Sequence, residues 1–184
     1  GIMDDPEAAA QSLKDEDKVD ILYEEIIEDL RPIHIKSMTP AQSQEFIQLV
    51  GATDNMEGVG DIIAKDLVKL VDDARSKGVR ATDTLRAIYL DLHAAILQAL
   101  RSAVRAVEKD DQQAAQDVLA AKDDIHRLVD EALQHQVGEL TAVEPSSLDA
   151  FRLEMEVADK FKRIYALSKR IARGELPEAV ESRD

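Results

Sequence analysis

The stretch MTPAQSQEFIQLVGATDNMEGVGDIIAKDLVKLVDDARSKG, residues 38–78, decides the fold of this chain. Thr39, Pro40 and Gln42 have the spacing of a helix start, with a threonine N-cap, a proline in the first turn and a glutamine that completes a capping box. Apolar residues then recur every three or four positions, and Gly78 suits a C-terminal cap. This seam is Phe46, Leu49, Thr53, Met56, Gly60, Ile63, Leu67, Leu70 and Ala74. The stretch therefore predicts one helix of about 38 residues, roughly 57 Å long.

Four further helices are predicted around this one, over about 15–37, 82–107, 111–141 and 147–173. The first carries the apolar stripe Val19, Leu22, Ile26 and Leu30, and Pro32 is expected to kink or end it. Ser146 with Asp149 marks the predicted N-cap of the last helix. Short connections between long helices favour an all-α antiparallel bundle of about five long helices. We expect this bundle to span 15–175, between a flexible acidic segment over 1–14 and a tail over 176–184.

Composition excludes several classes of function. The 184 residues include no cysteine, which excludes disulfides, thiolate catalysis and zinc–cysteine sites. A net charge of −15 disfavours nucleic acid and anionic lipid as partners. The longest run without a charged residue, Leu92–Leu100, is far shorter than the ~20 residues that cross a bilayer.

Three carboxylates interrupt the helix predicted after Thr39. Asp54, Glu57 and Asp61 occupy the middle of a stripe that runs beside the seam, and both ends of this stripe are apolar. The stripe is Val50, Asp54, Glu57, Asp61, Ala64, Val68 and Val71. We therefore expect the three acids to lie beside the core and not on the solvated face. Gly60 falls on the seam, where a missing side chain permits close approach of another helix or a ligand.

The helix predicted over 111–141 repeats this arrangement with Asp123, His126 and Asp130 between apolar ends. Acids packed inside a bundle repel one another and lose hydration, which raises their pKa values or calls for a cation. Oxygen ligands with one imidazole suit a divalent or trivalent ion such as Fe, Zn, Mg, Mn or Ca. We predict a metal site between the two helices, formed by Asp54, Glu57, Asp61, Asp123, His126 and Asp130.

Two alternatives remain open from the residues alone. The acids also fit a plain helical interaction domain, in which they are solvated or paired with Lys65, Lys122 and Arg127. A di-iron carboxylate enzyme is the other alternative. That chemistry uses two Glu-x-x-His motifs, and the chain offers a single aspartate version at 123–126.

The acidic motif of residues 57–61 resembles that of PhoU-like domains. Their helical Glu/Asp-x-x-x-Asp motif, often E-R-I-G-D or E-R-I-A-D, is matched by EGVGD, with Gly58 where arginine is usual. AAKDDIHRLVDEAL, residues 120–133, looks like the acid-rich third helix of the family, with His126 where aspartate is frequent. Over about 18–173 the chain is most similar to the soluble PhoU-like domain that follows the membrane portion of bacterial sodium/phosphate cotransporter-type proteins. The family's second motif would fall in FKRIYA, where Lys162 and Ala166 occupy the acid positions. We therefore expect at most one competent acidic cluster.

The resemblance implies a function as well as a fold. It implies a bundle of related three-helix units that binds metal at acid clusters. It also implies a regulatory or ligand-sensing role in sodium-dependent phosphate transport. It implies no enzymatic reaction and no catalytic residue. Its implied partners are the membrane transporter domain of the same longer chain and phosphate recruited through the metal, and it allows a homodimer. It places the domain in the cytoplasm, tethered to the inner face of the membrane. The leading Gly1 and Ile2 resemble a tag-cleavage scar, which fits a piece of a longer protein.

Overall fold

The computed structural model describes residues 6–33, 37–139 and 145–176, and these ranges contain helices and no strand. The elements are α1 (Pro6–Leu30), α2 (Pro40–Asp61), a π-helical segment (Ile62–Leu67), α3 (Val68–Ser76), α4 (Asp83–Lys109), α5 (Gln112–Ala120), α6 (Lys122–Glu139) and α7 (Pro145–Gly174). The helices pack against one another as a bundle, which confirms the all-α prediction. The predictions for residues 1–5, 34–36, 140–144 and 177–184 lie outside the described ranges.

The long helix after Thr39 is continuous, and its predicted ends are confirmed. The Thr39 hydroxyl accepts a hydrogen bond from the Gln42 N–H, and the Gln42 side chain accepts one from the Thr39 N–H. Gly78 adopts the left-handed conformation at the other end, with φ +66°. The unexpected feature is the π-helical segment Ile62–Leu67, which begins directly after Asp61. Segments of this kind are rare and recur at functional sites.

Several other boundaries differ from the predictions. Helix α1 begins at Pro6 and not near Asp15, so most of the segment expected to be flexible is helical. Helix α7 begins at Pro145, which places Ser146 inside the helix and not at its N-cap. The predicted helix over 111–141 is divided at Ala121 into α5 and α6.

The core lies between α4, α7 and the α5–α6 pair. Its most deeply buried side chains include Leu92, Val118 and Ile125. The Tyr165 hydroxyl donates a hydrogen bond of 2.9 Å to the Val118 carbonyl, so a buried polar group in the core has a partner. Helix α2 packs on α7, and α1 makes its main contacts with α2 and the π-helical segment. Helix α1 is therefore the outermost helix of the bundle.

Two glycines set the spacing of α2 from its neighbours. A Cβ atom at Gly58 would lie 3.3 Å from Cδ1 of Leu167 in α7, and one at Gly60 would lie 3.3 Å from Cγ1 of Val19 in α1. Both glycines thus allow a close helix approach, as expected for Gly60. The acids that flank this pair, Glu57 and Asp61, lie near α1 on one side and α7 on the other.

The apolar stripe of α1 is only partly covered. Val19 and Leu30 are half-buried, but Leu22 and Ile26 are exposed. The side of α1 that faces α2 instead carries Glu16, Val19 and Tyr23. The stripe therefore predicts the helix but does not coincide with its packed side.

Candidate functional site

An acidic cluster forms where α1 passes the C-terminal end of α2. Glu16 and Asp20 lie one turn apart on α1, and Asp61 is the last residue of α2. One carboxylate oxygen from each residue lies within 4.8 Å of the others. This separation is compatible with a single cation held by all three carboxylates. Among the described residues, this is the group of acids and histidines whose ligand atoms lie close enough together to hold one metal ion.

Glu16 is the buried member of the cluster, with 8% of its surface exposed. Its Oε1 forms an ion pair of 2.7 Å with the Lys65 Nζ. Lys65 is half exposed and also pairs with Asp61. The ammonium group of Lys65 therefore serves as the counter-ion of the cluster, and its half-exposed side chain can turn toward solvent.

The shifted pKa values in the cluster reflect the closeness of several negative charges. Burial raises the pKa of the Glu57 carboxyl, and the charges of Asp61 and Asp20 raise it further. The pKa of Asp20 is also raised, first by desolvation and then by the charge of Glu16. The pKa of Lys65 is raised by its contacts with Asp61 and Glu16, so the lysine stays protonated. The raised pKa values of Glu57 and Asp20 show that negative charge is disfavoured here, and a bound cation would relieve this.

The predicted stripe of α2 is brought partly into this cluster. Asp61 belongs to it, and Glu57 is half-buried within electrostatic reach. Asp54 is exposed, and its Oδ1 accepts a hydrogen bond of 2.9 Å from the Tyr23 hydroxyl. That bond raises the pKa of Tyr23 and ties α1 to α2. The apolar end of the stripe is buried as expected, since Ala64, Val68 and Val71 are core residues.

The second predicted stripe is not part of the cluster. Asp123, His126 and Asp130 are exposed on α6, contrary to the prediction that they lie beside the core. Helix α6 buries a different face, formed by Ile125, Leu128, Val129 and Ala132, against α4 and α7. The i→i−4 hydrogen bonds continue across Ala121, and the buried residues Val118, Ile125 and Val129 keep helical spacing, so the stripe lies on the exposed side of α6. The structure does not bring these residues together with Asp54, Glu57 and Asp61.

The partners of Asp61 are Glu16 and Asp20, which the sequence interpretation missed. A signal was available, since the two acids stand four positions apart and flank Val19, a member of the apolar stripe. Such spacing places them on the packed side of a helix. Farther along the same side of the bundle, Lys160 of α7 pairs with Asp66 at 2.9 Å.

An open groove of about 420 Å³ extends from the cluster across α2 to α7. Glu57, Asp61 and Lys65 line one side, and Arg163 and Arg170 of α7 line the other. Neither arginine forms an ion pair with any residue in the described ranges. The groove therefore presents carboxylate oxygens and guanidinium groups to the same solvent-filled space.

Two further findings bear on the identity of the chain. No helix in the part of the chain that the structure describes has the length and apolar character needed to cross a membrane. No family model, curated protein or solved structure matches the sequence.

Proposed function

We propose that this chain is a cation-binding regulatory domain associated with sodium-dependent phosphate transport. The observation that carries the proposal is the buried carboxylate of Glu16, which has an oxygen within 4.8 Å of one from Asp20 and one from Asp61 and is balanced by the half-exposed Lys65. Hard oxygen ligands of this kind suit Mg²⁺, Mn²⁺ or Ca²⁺. The link to phosphate transport rests on the PhoU-like motif, whose two acids are Glu57 and Asp61.

Binding of the cation requires Lys65 to leave the cluster. Its side chain is half exposed, so it can turn into solvent while the ion takes over the role of counter-ion for Glu16. The site then gains one positive charge, because a divalent ion replaces a lysine, and the fold does not change. A regulatory domain needs such a difference between bound and free states.

The groove beside the cluster offers a way to sense an anion. A divalent cation at Asp61 reduces the negative charge of the cluster, and Arg163 and Arg170 add donors suited to phosphate oxygens. We propose that phosphate binds here only when the cation is present. Phosphate that stabilises the protein equally with and without the cation would contradict this dependence.

The test is metal-dependent thermal unfolding. Addition of Ca²⁺, Mg²⁺ or Mn²⁺ to chelator-treated protein is expected to raise the melting temperature, because a ligand of the native state stabilises it by about 2.7 kcal/mol at 100 times its Kd. The variant D20N/D61N is expected to lose this shift. The matched control is D123N/D130N, which removes two exposed carboxylates on α6 and is expected to keep it. Equal shifts in both variants would overturn the proposed site.

A ligand-free helical interaction domain is the second candidate, and the ion pairs of Lys65 support it. The lysine already pairs with Glu16 and Asp61, so the cluster is compensated without an ion. This candidate predicts no metal-dependent stabilisation in any variant. The di-iron alternative has less support, because Asp123 and His126 are exposed on α6.

A further inference from the structure

The pair formed by α1 and α2 has an uncovered apolar face. Leu22 and Ile26 on α1 are 56% and 40% exposed, and Leu49 on α2 is 41% exposed. All three belong to apolar seams with helical spacing, a pattern that normally marks a buried face. We call these three residues the α1–α2 apolar face.

Helix geometry places the three residues on one side of the pair. The two helices run antiparallel, since Val19 lies against Gly60 and Tyr23 bonds to Asp54. At 100° per residue, Leu22 and Ile26 lie on the opposite side of this contact line from Asp20. Leu49 likewise lies on the opposite side from Asp61. Because Asp20 and Asp61 meet in the acidic cluster, the apolar residues share the other side.

Negative charges predominate beside this face. Glu25 and Asp29 on α1 and Glu45 on α2 are exposed on the same side, and none forms an ion pair within the described ranges. The lysine on this side, Lys18, is paired with Asp15 at 2.8 Å. Over residues 15–29, α1 carries eight carboxylates and one lysine. The face is thus apolar in the middle and anionic at its edges.

We propose that the α1–α2 apolar face binds a basic amphipathic helix of a partner protein. Such a helix places its apolar stripe on Leu22, Ile26 and Leu49, and its flanking lysines or arginines meet Glu25, Asp29 and Glu45. A second copy of this chain is the less suitable occupant, because the two anionic edges would face each other. The proposal does not depend on the proposed cation site, which lies on the opposite side of the pair.

The experiment uses a labelled peptide of about 18 residues, composed of leucine and lysine with the leucines at helical spacing. A second peptide of identical composition spreads the leucines around the helix. We expect the first peptide to bind and the second to bind at least tenfold more weakly. The variant L22A/I26A/L49A is expected to weaken binding of the first peptide at least tenfold. The control L90A/V137A removes two exposed apolar side chains on α4 and α6 and is expected to bind normally.

A charge variant, E25K/D29K/E45K, tests the edges of the face through exposed residues that do not contribute to the core. It is expected to weaken binding at least tenfold, and thermal unfolding checks that each variant is folded. Equal binding of both peptides, absence of binding, or unchanged binding by both triple variants would overturn the proposal. A wild-type dimer that L22A/I26A/L49A dissociates would also overturn it and assign the face to a second copy.

Discussion

Replacing Lys65 with methionine is expected to lower the stability of the metal-free protein and to raise its affinity for a divalent cation. The substitution keeps a long side chain but removes the charge that lies 2.7 Å from Glu16. The cost falls on Glu16, which is buried and then loses its counter-ion. A buried polar group left without a partner costs about 1–3 kcal/mol, which serves as a lower range for Glu16. For a chain of this size each kcal/mol corresponds to about 2–4 °C, so a mid-range cost of about 2 kcal/mol predicts a fall in melting temperature of about 4–8 °C.

The same change favours the cation. Lys65 competes with a bound ion for Glu16 and Asp61, and a +1 charge about 5 Å from a +2 ion costs roughly 1.7 kcal/mol even at the dielectric constant of water. Its removal therefore predicts an increase in affinity of more than tenfold. The assay is thermal unfolding in chelator and in Ca²⁺, Mg²⁺ or Mn²⁺, with calorimetric titration for the Kd.

The control is K18M, which breaks the pair between Lys18 and Asp15. Both of these side chains are exposed, and surface pairs contribute little to stability, so neither the melting temperature nor the cation affinity should change appreciably. A K65M protein that is as stable as wild type in chelator would refute the role of Lys65 as counter-ion. A K65M protein that binds the cation more weakly would refute the competition between lysine and metal.

Two further predictions concern α2. Gly51→Ala should stabilise the protein by about 0.5–1 kcal/mol, because alanine has the higher helix propensity and its Cβ would meet no atom within 4 Å. Gly60→Ala should stabilise the protein less or destabilise it, because its Cβ would lie 3.3 Å from Val19. Denaturant unfolding of both variants checks this order of stabilities. Glu57→Gln should raise the melting temperature at pH 7, because the raised pKa of Glu57 means that its ionised form opposes folding. That penalty is absent below the ordinary carboxyl pKa of 4.5 and appears as the pH rises through the folded-state pKa, so the variant and wild type should melt alike near pH 4. A stabilisation by Glu57→Gln that persists unchanged at pH 4 would contradict the assigned cause.

Local sequence signals predicted the helices well where the physical cause is local. The capping box at Thr39 and the left-handed Gly78 depend on neighbouring residues, and both are present as predicted. Boundaries were less well predicted where two local signals compete. Pro145 suits a first helical turn, and it overrides the N-cap signal of Ser146.

The candidate site was predicted only in part, because its partners come from a different helix. Asp61 and Glu57 were identified from the apolar ends of their stripe. Glu16 and Asp20 were missed, since no feature of α2 indicates which residues of α1 it meets. Asp123 is exposed because the face of α6 that carries Ile125 is the one that packs against the bundle, and the spacing of the stripe alone does not show which face is covered.

By itself, the sequence determined the fold class, the main helices and the acidic stripe of α2, because helical periodicity and capping act within a few residues. Only the tertiary structure decided which acids meet, that Lys65 lies between them, and that Leu22 and Ile26 remain uncovered. These features depend on the position of α1 at the edge of the bundle. Apolar spacing shows that a helix has a side suited to burial, but the packing of whole helices determines whether anything covers it.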